Sequence, residues 1–111
     1  MPHFEMTAEP FAGGVRVSIA GELDLVCAYT FDARLLELEG GDPDFLLLDL
    51  RGLTFIDSAG IGRILAAHRR GKRAGRRFVL LRGSKTVQRI LALTALDNVF
   101  EIVTEPEAVL A

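Results

Sequence analysis

Phe45-Leu46-Leu47-Leu48-Asp49-Leu50 and Phe78-Val79-Leu80-Leu81, with the stretch from Ser58 to Gly75 between them, decide the fold of this chain. Both runs are nearly continuous hydrophobe, the pattern of strands covered on both faces or leaning against helices. Between them Ile61, Ile64, Leu65 and His68 share one face of a helix that starts near Ser58 and stops at Gly71 and Gly75. A strand, a crossover helix and a strand in that order predict a parallel pair with a right-handed connection.

Working outward, Phe4, Met6 and Ala8 alternate with polar residues, Ala12-Gly13-Gly14 signals a turn, and Val15, Val17 and Ile19 resume the alternation, which predicts a hairpin of two half-buried strands. From Leu25 to Glu39, Ala28, Phe31, Leu35 and Leu38 fall at helical spacing, and Gly40-Gly41-Asp42-Pro43 ends that helix. Downstream, Ser84 can cap a third helix with Val87, Ile90 and Leu91 on its inner face. A short strand follows from Val99 to Val103, and Thr104-Glu105-Pro106-Glu107 fits a capping box for a terminal helical turn or two. The expected architecture is α/β, a mixed sheet of about five strands with four helices in the order ββαβαβαβα.

At 111 residues, half of them hydrophobic and a quarter charged, residues 1–111 read as a single domain able to fold without staples. No linker or internal repeat divides it. Apolar runs are far shorter than the ~20 residues that cross a bilayer. Met1 to Glu5 lacks the features of a signal peptide, so a cytoplasmic location is expected. Cys27 is the only cysteine, and His3 and His68 are the only histidines, which argues against an internal disulfide or a protein-built zinc site. No metal and no cofactor are expected.

The formal charge of −2 hides an asymmetry. Met1 to Asp57 holds eleven acids and three bases, Ser58 to Leu93 ten bases and no acid, and the remainder four acids. Acidic and basic regions of this size could each meet a different partner.

The segment richest in chemistry is Phe55-Ile56-Asp57-Ser58-Ala59-Gly60-Ile61-Gly62, where the chain leaves the central strand and enters the second helix. Asp57 or Ser58 is the expected N-cap, a role that either residue fills without any further function. A helix start also accepts negative charge. A phosphate on Ser58 would gain about 0.3–1 kcal/mol from the dipole and could meet the amides of Ala59 to Ile61. Set about 6 Å from the Asp57 carboxylate, it would repel that group by about 1 kcal/mol in water and severalfold more where a partner excludes solvent. Gly60 and Gly62 each cost a helix up to about 1 kcal/mol relative to Ala, so close packing or access for a partner should repay them. Enzymatic readings fare worse. The dinucleotide and P-loop spacings are missing, Ser58 lacks the glycine of a nucleophile elbow, and His68 stands about 15 Å further along the helix. A second cluster, Gly21-Glu22-Leu23-Asp24-Leu25, reads as a turn with a helix cap at Asp24. It leaves its strand toward the same sheet edge as Ser58.

Gly21-Glu22-Leu23-Asp24 after a hairpin, Asp57-Ser58-Ala59-Gly60-Ile61-Gly62 after a hydrophobic strand, and Leu93-x-x-Leu96 before Phe100-x-Ile102 together resemble the STAS domain of bacterial anti-sigma factor antagonists. The resemblance runs over essentially the whole chain. It implies a partner switch in which the unmodified protein binds a serine-kinase anti-sigma factor and frees the sigma factor. The kinase then phosphorylates the antagonist, and a metal-dependent serine phosphatase restores it. Carried over by position, the resemblance makes Ser58 the phosphoacceptor. It makes Asp24, Asp57, Ala59, Gly60 and Ile61 the partner-binding residues, and it makes the chain a regulator of transcription and not an enzyme. Ala59 stands where relatives often have Ser or Thr, and Ala95 where they often have Gly. Two other readings stay open: a STAS subunit of a lipid-transport ABC ATPase complex, in which Ser58 is only a helix cap, and a nucleotide-responsive domain. A weak homodimer is compatible with the sequence.

Six of the nine residues from Arg69 to Arg77 are basic. This run reads first as a solvated helix end, then as a surface for an acidic protein, and last as a nucleic-acid contact, since no aromatic interleaves it before Phe78. Direct DNA binding is not expected. Cys27 is expected to be a small buried residue of the first helix, Tyr29 a surface or boundary aromatic and His68 a core-facing group.

Overall fold

The computed structural model describes residues 3–111. Strands β1 (Phe4–Phe11) and β2 (Gly14–Leu23) form the hairpin. Helix α1 (Ala28–Glu39), strand β3 (Phe45–Ile56), helix α2 (Ser58–Ala74), strand β4 (Arg77–Leu81), helix α3 (Lys85–Leu93) and strand β5 (Glu101–Val103) follow. The sheet runs β1-β2-β3-β4-β5 in space. β1 is antiparallel to β2, and every later neighbour is parallel.

Each parallel connection advances one strand in the same direction, so right-handed crossovers place α1, α2 and α3 on one face. There Phe31 and Leu35 of α1, Ile64 and Ala67 of α2, and Val87 and Leu91 of α3 close over Leu46, Leu48 and Leu50 of β3. The alternate residues Phe45 and Leu47 join Val79 and Leu81 on the opposite face, where Val109 covers them. Both faces of this stretch are thus dry, which is why it reads as unbroken hydrophobe. Farther along the open face, buried Asp49 accepts hydrogen bonds from Arg16 (3.0 Å) and Arg51 (3.0 Å). Burial alone would raise its pKa. The Arg51 side chain and amide, together with Arg16, outweigh that and hold it below the usual carboxylate range.

The hairpin turns through Ala12 and Gly13, both at positive φ (51° and 89°), the signature of a type I′ turn. Ser84 caps α3 as expected, its Oγ accepting from Val87 N–H. Helix α2 ends at left-handed Gly75 (φ 70°), and Arg76 N–H reaches back to Gly71 O (2.8 Å).

Three expectations change. The described residues hold three α-helices, not four, so the order is ββαβαβαβ, with short 3₁₀ helices at Leu96–Asn98 and Pro106–Leu110. The capping box does not form: Glu105, without a side-chain cap bond, takes the cap position ahead of Pro106, one residue past Thr104, so Thr104 and Glu107 fall out of the register the box needs. The last strand begins at Glu101 and not Val99, because the 3₁₀ turn holds Val99 and turns Phe100 into the core. Helix α1 begins at Ala28 and not Leu25, since Asp24 O already accepts from Cys27 N–H (3.2 Å) and Ala28 N–H (2.8 Å) in a preceding turn. Among the described residues no helix is long and apolar enough to cross a membrane.

Candidate functional site

The C-terminal ends of β2 and β3 lie side by side, Glu22 opposite Phe55 and Leu23 opposite Ile56, and both strands lead directly into the segments singled out above. Asp57 joins them. Its main-chain N–H donates to Leu23 O (3.2 Å). Its carboxylate accepts from Gly60 N–H (3.0 Å), capping α2, and from Leu25 N–H (3.0 Å), tethering the β2–α1 connection. One side chain thus starts a helix and anchors the neighbouring loop.

Ser58 is the first residue of α2 and is exposed. Gly60 N–H is taken by the cap and Ile61 N–H by Asp57 O (3.0 Å). The amides open to an anion at this helix start are therefore those of Ser58 and Ala59, not the run from Ala59 to Ile61 that the sequence suggested. The local field still favours negative charge. Ala59 and Ile61 are half-buried, and Ile61 packs against the core. Gly60 is buried, and a Cβ there would lie 2.5 Å from Leu23 O and 2.8 Å from Leu23 Cγ. Its glycine serves the packing of α2 on β2. A Cβ at Gly62 would meet nothing within 4 Å.

Asp24 does not cap α1. Cys27 occupies that position without a side-chain cap bond, while Asp24 Oδ1 accepts from Val26 N–H (3.0 Å) and lies 3.3 Å from His3 Nε2. Desolvation works to raise the Asp24 pKa, but His3, the Val26 amide and Cys27 hold it below the ordinary value. Cys27 is half-exposed instead of buried in the helix, with Sγ 3.3 Å from Glu22 O. Burial, opposed in part by a backbone hydrogen bond and reinforced by the Asp24 charge, pushes its thiol pKa up.

The turn fixed by Asp57 and Asp24 displays Leu25 (66% exposed) and Val26 (80%), and Tyr29 (64%) follows in the first turn of α1. Phe55 (44%) stands two residues before Asp57 on β3. Tyr29 is at the surface as the sequence predicted, whereas the exposure of Leu25, Val26 and Phe55 was missed. The available signal was that Leu25, Val26 and Tyr29 are out of phase with the inward set Ala28, Phe31, Leu35 and Leu38. Arg63 of α2 places its guanidinium 5.1 Å from the centre of the Tyr29 ring and bonds Asp32 of α1 (3.3 Å).

Half of the basic run is paired inside the molecule. Arg70 makes a bidentate pair with Glu39 (2.7 and 2.8 Å) and reaches Asp32 (2.8 Å). Arg76 also meets Glu39 (3.3 Å), and Arg77 pairs with Glu101. Asp32 and Glu39 of α1 thus meet Arg63 and Arg70 of α2 across the helix pair. Lys72 and Arg73 stay exposed in the last turn of α2, where cations suit the dipole. His68 sits edge-on to Phe78 and Phe100, with ring centres at 6.3 and 5.3 Å. Burial first, then Lys72 and Arg69, lowers its pKa. It borders a cleft of about 270 Å³ with Lys72, Arg76 and Arg77, ten residues along α2 from Ser58 and outside its reach.

With this geometry in hand, comparison with known proteins is specific. The family model of the STAS domain matches residues 7–108. The anti-sigma-F factor antagonist RsfB of Mycobacterium tuberculosis is 29% identical over 97 residues, covering 87% of this chain and 79% of that protein. A crystal structure of an anti-sigma factor antagonist from Mycobacterium paratuberculosis superposes with a TM-score of 0.82 at 26% identity, over 96% of this chain and 91% of that one. The unphosphorylated form of the anti-sigma factor antagonist SpoIIAA, from Bacillus, gives a TM-score of 0.79 at 24% identity, over 95% and 93%, a likeness of fold.

Proposed function

Because the chain belongs to the STAS domain family, we propose that it is an anti-sigma factor antagonist whose grip on a kinase-type anti-sigma factor is released by phosphorylation of Ser58. The observation that carries this reading is exposed Ser58 at the first position of α2, next to a carboxylate that also holds the exposed Leu25-Val26 turn. Unmodified, this end of the sheet offers Leu25, Val26, Tyr29 and Phe55 as apolar contact area around a neutral hydroxyl. In the modification step the γ-phosphoryl group of ATP passes to Ser58 Oγ, ADP departs, and the hydroxyl proton goes to a base of the kinase. The product carries nearly two negative charges beside Asp57.

The fold tolerates this addition, since Ser58 is exposed and caps nothing, while a bound partner does not. At about 6 Å the repulsion from Asp57 grows from about 1 kcal/mol in water to several where solvent is excluded. A metal-dependent serine phosphatase resets the cycle, and the freed or sequestered anti-sigma factor sets sigma-factor-dependent transcription.

Incubation with ATP and the cognate kinase-type anti-sigma factor, followed by peptide mass analysis, tests the reading. One phosphate on Ser58 in the parent and none in Ser58→Ala is the expected result. Failure of the parent to take phosphate, or capture of a transport ATPase in place of the kinase from cells, contradicts it.

A further inference from the structure

Three donors of different chemistry converge beyond the end of β2, two of them three residues apart and the third, His3, remote in sequence. His3 precedes β1, and its main-chain carbonyl accepts from Glu22 N–H at 2.6 Å. Gly21 permits this approach: it is at φ 91°, and a Cβ on it would lie 2.1 Å from His3 O. The antiparallel register, Phe4 opposite Gly21, then sets the His3 imidazole beside the β2–α1 turn, with Nε2 3.3 Å from Asp24 Oδ1. Cys27, at the start of α1, brings Sγ to 3.6 Å from the same oxygen. All three donor atoms lie within 4.8 Å of one another.

A tetrahedral Zn²⁺ ion, with Zn–N and Zn–O near 2.0–2.2 Å and Zn–S near 2.3 Å, separates neighbouring donors by about 3.3–3.6 Å. The nitrogen–oxygen and sulfur–oxygen separations already have these values. The imidazole–thiol pair closes to them by a small rotation of His3, whose side chain is 43% exposed. Without metal the same atoms hold weak hydrogen bonds, which keep the donors gathered.

We propose that His3 Nε2, Asp24 Oδ1 and Cys27 Sγ form a site for a borderline divalent transition-metal ion of the Zn²⁺ class, with water as the fourth ligand. Thiolate and imidazole select against Mg²⁺ and Ca²⁺, which require oxygen ligands. The exposure of His3 and the partial exposure of Asp24 (25%) leave a path for the ion and room for the water. On binding, the Cys27 thiol proton passes to solvent. The site stands independently of phosphorylation at Ser58. Because Asp24 also holds the Val26 amide, a bound ion fastens His3 to the turn that displays Leu25 and Val26.

The test titrates the untagged full-length chain with Co²⁺ and then Zn²⁺, followed by absorption spectroscopy and calorimetry. Saturation at one equivalent is expected, with tetrahedral ligand-field bands and a thiolate-to-cobalt charge-transfer band, both erased by Zn²⁺ and untouched by Mg²⁺ or Ca²⁺. Cys27→Ser should abolish the charge-transfer band and weaken binding at least about tenfold, and His3→Ala should weaken it comparably. His3→Ala is the safeguard against misfolding, since its exposed imidazole leaves the metal-free unfolding midpoint unchanged. His68→Ala should bind as the parent does. Absence of the charge-transfer band at one equivalent, parental affinity in both ligand variants, or loss of binding on His68→Ala would overturn the proposal.

Discussion

Replacing Asp57 separates the two tasks of its carboxylate. In Asp57→Ala, Gly60 N–H loses its 3.0 Å acceptor and Leu25 N–H loses its own, also at 3.0 Å. Loss of an N-cap costs about 1 kcal/mol. Loss of a charge-assisted bond at an exposed site costs about 1 kcal/mol more. The sum, about 2 kcal/mol, corresponds to a fall in Tm of roughly 8 °C for a chain of this size. Asp57→Ser retains one short acceptor able to cap α2 but cannot also reach Leu25, so it should lose only about 1 kcal/mol. Urea denaturation supplies the free energies, and amide hydrogen exchange supplies the location. Leu25 should lose protection in both variants, and Gly60 in Asp57→Ala alone. Equal destabilisation by the two replacements, or a Leu25 amide that stays protected in either, would refute the account of one carboxylate joining helix and loop.

Three further outcomes follow from the packing. Gly60→Ala should destabilise by about 1–3 kcal/mol, because its Cβ would press on Leu23 O at 2.5 Å. Gly62→Ala, facing open space, should instead stabilise by up to about 1 kcal/mol, so chemical denaturation of the two variants should move in opposite directions. Arg70→Ala should cost about 2–3 kcal/mol, less than an isolated buried pair, because Arg63 and Arg76 still accompany Asp32 and Glu39; a loss under about 0.5 kcal/mol in urea titration would sink that reading. The folded pKa of His68 lies below its unfolded value, so its contribution is complete above about pH 6.5 and is lost as pH falls from there toward the folded pKa. His68→Phe should flatten that part of the stability profile, and a slope identical to the parent's would contradict the assignment.

The parallel core was legible because Leu46, Leu47 and Leu48 are dry on alternate faces and leave an unbroken apolar run. Ser84 was legible as a cap, and the α2 cap was narrowed to Asp57 or Ser58, because each precedes an amphipathic segment; the same pattern misplaced a cap at Asp24. What stayed hidden depends on contacts remote in sequence. Arg70 and Glu39 are 31 residues apart, so opposite charges that cancel across two helices look like unrelated surfaces in one dimension. His3 and Asp24 meet only through the hairpin register. The segment after Val103 was misread because its helical turns start at Glu105, one residue past the Thr104 that the capping pattern named. At the site, Ser58 was visible as a residue type in context, whereas the exposed Leu25-Val26 turn needed the backbone of Asp24 and Cys27 to become apparent.

The most direct test of the central claim is calorimetric titration of the cognate kinase-type anti-sigma factor with the chain before and after stoichiometric phosphorylation of Ser58. The account predicts a loss of affinity of at least about tenfold with little change in Tm, since more than about 1.4 kcal/mol of repulsion is added when the partner excludes solvent. Equal affinity of the two forms would contradict it.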